Sequence, residues 1–152
     1  MGIEYLETSK TGLNKIAFLW EKLNRIHALS SPFFGEEYKI KTFTERKKEL
    51  LEKAKTGSLK VFLARNTETG LLVGYCVCTV SSHVGEVDSI FVEETFRKHR
   101  IGNDFFERAD AFFKMNRVKK QILQVYAGNE KVMEFYKKQG YYPKYITLEK
   151  KA

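Results

Sequence analysis

Hydrophobic positions along the chain switch several times between a period of about two and a period of about three and a half. Residues 2–7 read as a short first strand. Residues 12–28 read as a helix, because Leu13, Ile16, Trp20, Leu23 and His27 recur at helical spacing. Ser30-Ser31-Pro32-Phe33-Phe34-Gly35 breaks that pattern and predicts a loop. Thr42 with Glu45 forms a capping-box pattern for a second helix whose buried face carries Phe43, Leu50, Leu51 and Ala54, with Gly57 ending it. Two apolar, β-rich runs follow, Leu59–Arg65 and Leu71–Ser81, joined by the hairpin loop Asn66-Thr67-Glu68-Thr69-Gly70. Residues 85–92 are a further strand, and 101–115 a helix with Ile101, Phe105, Ala109 and Phe112 on one face. Gln121–Ala127 reads as a strand, 130–139 as a helix closed by Gly140, and Tyr141–Glu149 as a last strand.

The predicted order is β-α-α-β-β-β-α-β-α-β. Antiparallel hairpins come first and a strand–helix–strand–helix–strand unit follows. That order predicts an α/β (α+β) fold: one mixed, largely antiparallel sheet flanked by helices on both faces. With no repeat, linker or low-complexity tract, the 152 residues read as a single domain, 1–152.

Composition changes this picture in one respect. The net charge is +8, but residues 1–96 carry 13 basic and 13 acidic side chains, whereas residues 97–152 carry 14 and 6. The whole excess lies in the last third, and a basic region attracts phosphates, on a nucleic acid, an anionic membrane or a phosphorylated cofactor. No long uncharged apolar run is present, so no membrane contact is expected, and the first residues do not resemble a secretion signal. A cytoplasmic location is the expectation. Cys76 and Cys78 sit two apart in an apolar run and share one face of a strand, with no third cysteine to complete a metal set. They read as buried apolar residues, and no metal is expected.

The segment Arg97-Lys98-His99-Arg100-Ile101-Gly102 carries the candidate chemistry. A strand, a tight turn and a helix N-terminus gather free backbone N–H groups, and the helix dipole adds partial positive charge. Such a corner binds phosphate. Val87-Asp88-Ser89-Ile90-Phe91-Val92 followed by Arg97 and Gly102 resembles the signature motif of the GCN5-related N-acetyltransferase superfamily, a Gln/Arg-x-x-Gly-x-Gly/Ala turn after a strand ending in Val. Val125-Tyr126-Ala127-Gly128-Asn129, then Phe135-Tyr136-Lys137-Lys138-Gln139-Gly140-Tyr141, resembles the second motif of that family. Two departures stand out: Arg100 at the fourth motif position, usually Gly, and Glu94 where many members have Pro.

The resemblance implies a GNAT-like acyl-CoA N-acyltransferase fold and an acetyl-CoA-dependent acetyltransferase. It places the pantetheine arm of acetyl-CoA along the backbones of Ile90, Phe91 and Val92, and the pyrophosphate among Arg97, Lys98, His99, Arg100, Ile101, Gly102 and Asn103. Asn129 is implied as a partner of the pantetheine arm, and also suits a helix N-cap. Tyr136 matches the tyrosine that protonates the departing thiolate, a task a phenol can perform. Glu86 matches the strand glutamate used as a base in the histone-acetylating branch, with Asp88 on the same face if the strand is regular and water as the other proton acceptor. No nucleophile constellation is present, so direct attack of an amine on the thioester is expected.

The acceptor is expected around residues 27–41, with Phe33, Phe34, Glu36, Glu37 and Tyr38, and near Asp88. Aromatic rings with acids suit a small cationic amine, polyamine or amino-sugar-like. A peptide N-terminus or lysine is the rival acceptor, and a basic nucleic-acid-binding module is the alternative of another class. The basic residues lack interleaved aromatics, which speaks against that alternative. The reading leaves a homodimer open.

Overall fold

The computed structural model describes residues 2–152; Met1, the first residue of the expected domain, lies outside them. Five strands form one sheet in the order β1 (Ile3–Thr8), β2 (Gly57–Asn66), β3 (Leu72–Ser81), β4 (Val84–Val92) and β5 (Lys120–Leu123). The first four pair antiparallel, and β5 lies parallel to β4. Five α-helices flank the sheet: α1 (Ala17–Ser30), α2 (Gly35–Ile40), α3 (Phe43–Ala54), α4 (Ile101–Met115) and α5 (Met133–Lys138). The mixed sheet with helices on both faces is the predicted fold class.

β3 is buried over almost its whole length, because both its faces are covered. On one face Tyr75 and Val77 meet Leu13, Ile16, Leu19, Trp20 and Leu50 from the α1 and α3 side. On the other, Cys76 and Cys78 meet Ile101, Phe105, Phe106 and Phe113 of α4. Each such fully buried apolar side chain stabilises the fold by about 1.5–3 kcal/mol relative to exposure. The capping box at Thr42 and Glu45 forms as predicted.

Several boundaries differ from the prediction. The first helix splits into a 3-10 segment, Lys10–Ile16, and α1. Three residues per turn stacks Leu13 over Ile16, and both are fully buried. The expected loop forms over 31–34, and a short helix that was not expected, α2, follows it. α3 ends at Ala54, and Gly57 opens β2 instead of closing the helix. The helix over 130–139 is a 3-10 turn, Glu130–Val132, followed by α5. No strand forms over 141–149. Pro143 has no N–H to give a ladder, and β5 is only four residues long, so its outer edge offers little to pair with. Among the described residues, no helix is long and apolar enough to cross a membrane.

Candidate active site in the wedge between β4 and β5

β4 and β5 begin side by side and then separate. Their pairing runs from Val84 opposite Lys120 to Val87 opposite Leu123 and stops. The cause lies in β4. Val77 faces Ser89 and Cys78 faces Val87, so Asp88 is an extra residue, a bulge. A bulge bends its strand and increases its twist. Here it leaves residues 88–92 without a partner in β5 and opens a wedge. The predicted strand 121–127 is correspondingly short.

Beyond the bulge the Glu93 N–H donates to the Val73 carbonyl at 2.8 Å. Peptide groups of an antiparallel pair alternate in direction. Ser89 and Phe91 therefore turn theirs toward β3, while Ile90 and Val92 turn theirs into the wedge. Of the three backbones expected to meet a pantetheine diamide, Ile90 and the N–H of Val92 are available, the Val92 carbonyl accepts from Arg97, and Phe91 is engaged with Tyr75.

The wedge leads to the N-terminus of α4. Arg100, the residue before it, is left-handed (φ 60°, ψ 18°). That conformation explains why glycine is usual at this motif position, and arginine holds it at a cost of about 1–3 kcal/mol. No side chain caps α4, so the N–H groups of Ile101, Gly102 and Asn103 have no cap partner. Asp104, the acid in that first turn, is turned to the Tyr5 hydroxyl. Lys98, His99 and Arg100 are exposed, and the ring of His99 lies beside Phe96. Arg97 folds back: its Nε donates to the Val92 carbonyl at 3.0 Å, with its guanidinium 5.9 Å from the Phe91 ring. Gly102 serves a neighbouring side chain, since a Cβ there would lie 2.9 Å from Cζ of Phe135. This corner offers three N–H donors, with the exposed cations Lys98 and Arg100 beside them, to a diphosphate, and the wedge offers amide groups to a diamide. Both parts fit coenzyme A.

The wedge widens into a cavity between α1, α2, α3 and the β5–α5 connection. Tyr136 and Asn129 line it on the α5 side. No described residue hydrogen-bonds the Tyr136 hydroxyl, and burial pushes its pKa up to about 12, so the phenol is neutral and able to donate. Asn129 makes no side-chain cap to the following turn.

Glu86 stands apart from this cavity. Its carboxylate accepts from the Lys53 ammonium at 2.8 Å. Asp88 shares that ammonium, accepts from Thr79 Oγ1 at 2.7 Å and has a fully enclosed side chain. Burial raises the Asp88 pKa against the opposing pull of Lys53 and Thr79. Burial also pulls Lys53 down, and its two carboxylate partners outweigh that and raise it. The bulge leaves Glu86 and Asp88 on one face, as expected for a regular strand.

Of the expected acceptor residues, Phe33, Glu36 and Glu37 are exposed and Phe34 is half-buried, and none of the four lines the cavity. Tyr38 does, together with Trp20, Asn24, His27, Lys41, Arg46 and Tyr126. His27, which reads as a packing residue in the sequence, stacks on Tyr126 with ring centroids 4.2 Å apart and is 7% exposed. No described residue hydrogen-bonds its ring nitrogens. Its signal in the sequence is a histidine on the apolar stripe of α1, in phase with Trp20 and Leu23.

Burial lowers the His27 pKa to about 4. Its unfolded value is about 6.5. A depressed histidine favours the fold while neutral, so this contribution is complete above the unfolded pKa and is lost as pH falls toward 4. Stability should decline by roughly 2–3 kcal/mol across that window, with proton uptake on unfolding. Urea titrations from pH 7 to 4 on wild type and His27→Phe check this; an equally steep decline in the variant refutes it.

Cys76 and Cys78 are fully buried, with sulfurs 3.8 Å apart. The contact with Cys76, and burial, push the Cys78 thiol up. A thiol held protonated is a poor nucleophile.

Comparison with known proteins places this geometry. The sequence model of the acetyltransferase (GNAT) family matches residues 23–141. No curated protein sequence matches the chain. A GCN5-related N-acetyltransferase from Ralstonia eutropha JMP134 superposes with a TM-score of 0.75 at 16% identity, covering 98% of each chain. The ribosomal-protein-alanine N-acetyltransferase of Brucella melitensis biovar Abortus 2308 gives 0.67 at 15% identity, over 99% of this chain and 100% of that one. The aminoglycoside N-acetyltransferase AAC(6')-Iy, solved in complex with CoA, gives 0.65 at 16% identity, over 98% and 100%.

Proposed function

The chain belongs to the GNAT family of acetyltransferases and is an acetyl-CoA-dependent N-acetyltransferase, and we propose that it passes the acetyl group to a primary amine by direct attack within a ternary complex held in the β4–β5 wedge. The single observation that carries this reading is the bulge at Asp88. It leaves the Ile90 N–H and carbonyl and the Val92 N–H without a strand partner, between the α4 N-terminus and the Tyr136 phenol.

Acetyl-CoA supplies the activated acyl group. Ile90 and Val92 pair with its amides, and the N–H groups of Ile101, Gly102 and Asn103 hold its pyrophosphate. Arg97 braces the Val92 carbonyl, Lys98 and Arg100 add positive charge around the phosphates, and the His99 ring offers a further polar contact. Asn129 offers a side-chain amide to the pantetheine arm. Tyr136 keeps its proton until sulfur departs and then donates it. The two cysteines remain packing residues, so no acyl-enzyme forms. Glu86 is held by Lys53 away from the cavity, and the proton of the attacking amine passes to solvent at the cavity mouth. Glu86→Gln should therefore reduce turnover far less than a change at Tyr136; a comparable loss returns Glu86 to the role of base.

The relatives named above differ in acceptor, an aminoglycoside in one and a ribosomal protein in another, so the choice for this chain rests on its own cavity. Its modest size, closed by Tyr38 and Tyr126, supports a small amine. Acetyl-CoA at a hundred times its Kd should stabilise the fold by about 2.7 kcal/mol. A thermal melt with and without cofactor reads this directly, and no shift at millimolar acetyl-CoA overturns the assignment of the wedge.

A further inference from the structure

The charges around the acceptor side of the cavity differ from those a polycation needs. The acids near the site are occupied. Lys53 binds both Glu86 and Asp88, and the Asp88 carboxylate is sealed from solvent. Lys22 binds Glu93 at 2.9 Å. The side chains that do line the cavity there include two cations, Lys41 and Arg46. They share one carboxylate, Glu49, at 2.9 Å and 3.0 Å. Their charge outweighs its tendency to desolvate and keeps Glu49 ionised. That trio carries one positive charge in excess beside the cavity, and the one negative charge left where Glu86 and Asp88 share Lys53 is enclosed on the Asp88 side.

Arg46 is held in a telling place. One guanidinium nitrogen donates to Glu49, and the other donates to the Asp88 carbonyl at 3.0 Å. The guanidinium therefore sits against the bulge itself, one peptide from Ser89 and two from Ile90, whose peptide faces the wedge. Two of its five N–H groups have these partners, and its side chain is 17% exposed. The rings of Tyr38, Tyr126 and His27 line the same cavity. His27 is neutral, more than nine-tenths buried, and has no hydrogen-bonding partner among the described residues. Negative charge does occur near Tyr38, whose phenol is raised first by burial and then by Tyr126, Glu37 and Glu149, but both of those acids are exposed, outside the cavity lining.

We infer that the acceptor is a free amino acid with an apolar or aromatic side chain, its carboxylate received by Arg46 and Lys41 and its side chain against Tyr38, Tyr126 and His27. This rests on the acetyl-CoA reading of the wedge. A planar guanidinium suits a carboxylate better than an ammonium does, and it carries fixed charge. The closeness of Arg46 to the bulge requires the carboxylate to be few bonds from the attacking nitrogen, as in an α- or β-amino acid. The unpartnered imidazole offers a ring nitrogen to the same molecule. The step is ordinary acyl transfer: a C–N bond forms, the C–S bond breaks, the amine loses a proton and the thiolate gains one.

Thiol release from acetyl-CoA tests this with leucine, phenylalanine and tryptophan, each beside its carboxamide and its decarboxylated amine, and with spermidine. At least one amino acid should exceed both of its partners at least tenfold in kcat/KM. That preference would run against amine ionisation, since the carboxamide holds more free amine near neutral pH. Lys41→Met should raise the KM for that amino acid several-fold and leave the Kd for acetyl-CoA unchanged; Arg46→Lys should do the same. Carboxamides or decarboxylated amines that match the amino acids, or spermidine as the best acceptor, overturn the inference. Calorimetry with acetyl-CoA separates the two levels. Cofactor binding with no transfer to any amino acid sinks the acceptor class alone, whereas no cofactor binding sinks the wedge assignment beneath it.

Discussion

Replacing Tyr136 by phenylalanine should lower kcat by about 10²-fold, a typical loss when a positioned general acid is removed, while acetyl-CoA binds within a factor of two of wild type. The ring makes the packing contacts and the hydroxyl makes none. Phe106 lies 5.9 Å from the Tyr136 ring centroid and Phe135 lies 5.8 Å away, so the aromatic cluster beneath α5 survives the change. What is lost is one neutral O–H in the cavity, without a protein partner among the described residues, that burial keeps protonated to about pH 12. Because that value lies so far above neutrality, the rate should show no basic limb from Tyr136 between pH 7 and 10. Steady-state kinetics with a fixed acceptor checks both statements. Unchanged turnover makes Tyr136 a packing residue only.

The second large effect should come from Gly128→Ala. Gly128 has φ +100°, a conformation that L side chains rarely adopt. A Cβ there would lie 2.1 Å from the Ser30 carbonyl oxygen at the end of α1. Backbone cannot rotate away as a side-chain tip can. The β5–α5 connection must either lift from α1 or distort, at a cost of about 3 kcal/mol or more. That connection carries Tyr126 and Asn129, and α1 carries His27, so separation opens the cavity between them. The expected result is a fall in melting temperature together with a loss of acceptor binding. A variant as stable and active as wild type would show that the close approach is not needed. Gly140→Ala is the control: its φ is +93°, but nothing lies within 4 Å of its Cβ, so only the backbone strain is felt.

Much of this architecture is legible in the sequence for simple reasons. α4 runs over the very residues its apolar stripe predicts, because Ile101, Phe105 and Ala109 must all reach the sheet. α3 begins where Thr42 and Glu45 cap each other. The phosphate corner follows from a strand, a turn and an uncapped helix in succession. The bulge at Asp88 leaves no local signature, since one extra residue in a strand is defined only by its partner. It decides the wedge, the shortness of β5 and which of Ile90, Phe91 and Val92 has free peptide groups. The missing last strand has a similar origin: Tyr145, Ile146 and Leu148 have strand character, but they are exposed and unpaired, with Pro143 ahead of them and a four-residue edge beside them. The acceptor side was least legible. Lys41 closes the 27–41 segment expected to meet the acceptor, but Arg46 lies beyond it in α3, and only the folded chain brings it to the cavity with Tyr126. Glu86, prominent by resemblance, is paired with Lys53, thirty-three residues away in sequence.

The central claim is that acetyl-CoA lies along β4 and ends at the N-terminus of α4. Amide NMR shifts during a titration with acetyl-CoA test it most directly. The largest shifts are expected at Ile90, Val92, Ile101, Gly102 and Asn103, with smaller ones at Phe91. Shifts confined to the basic residues after position 114, with those five amides unmoved, would contradict it.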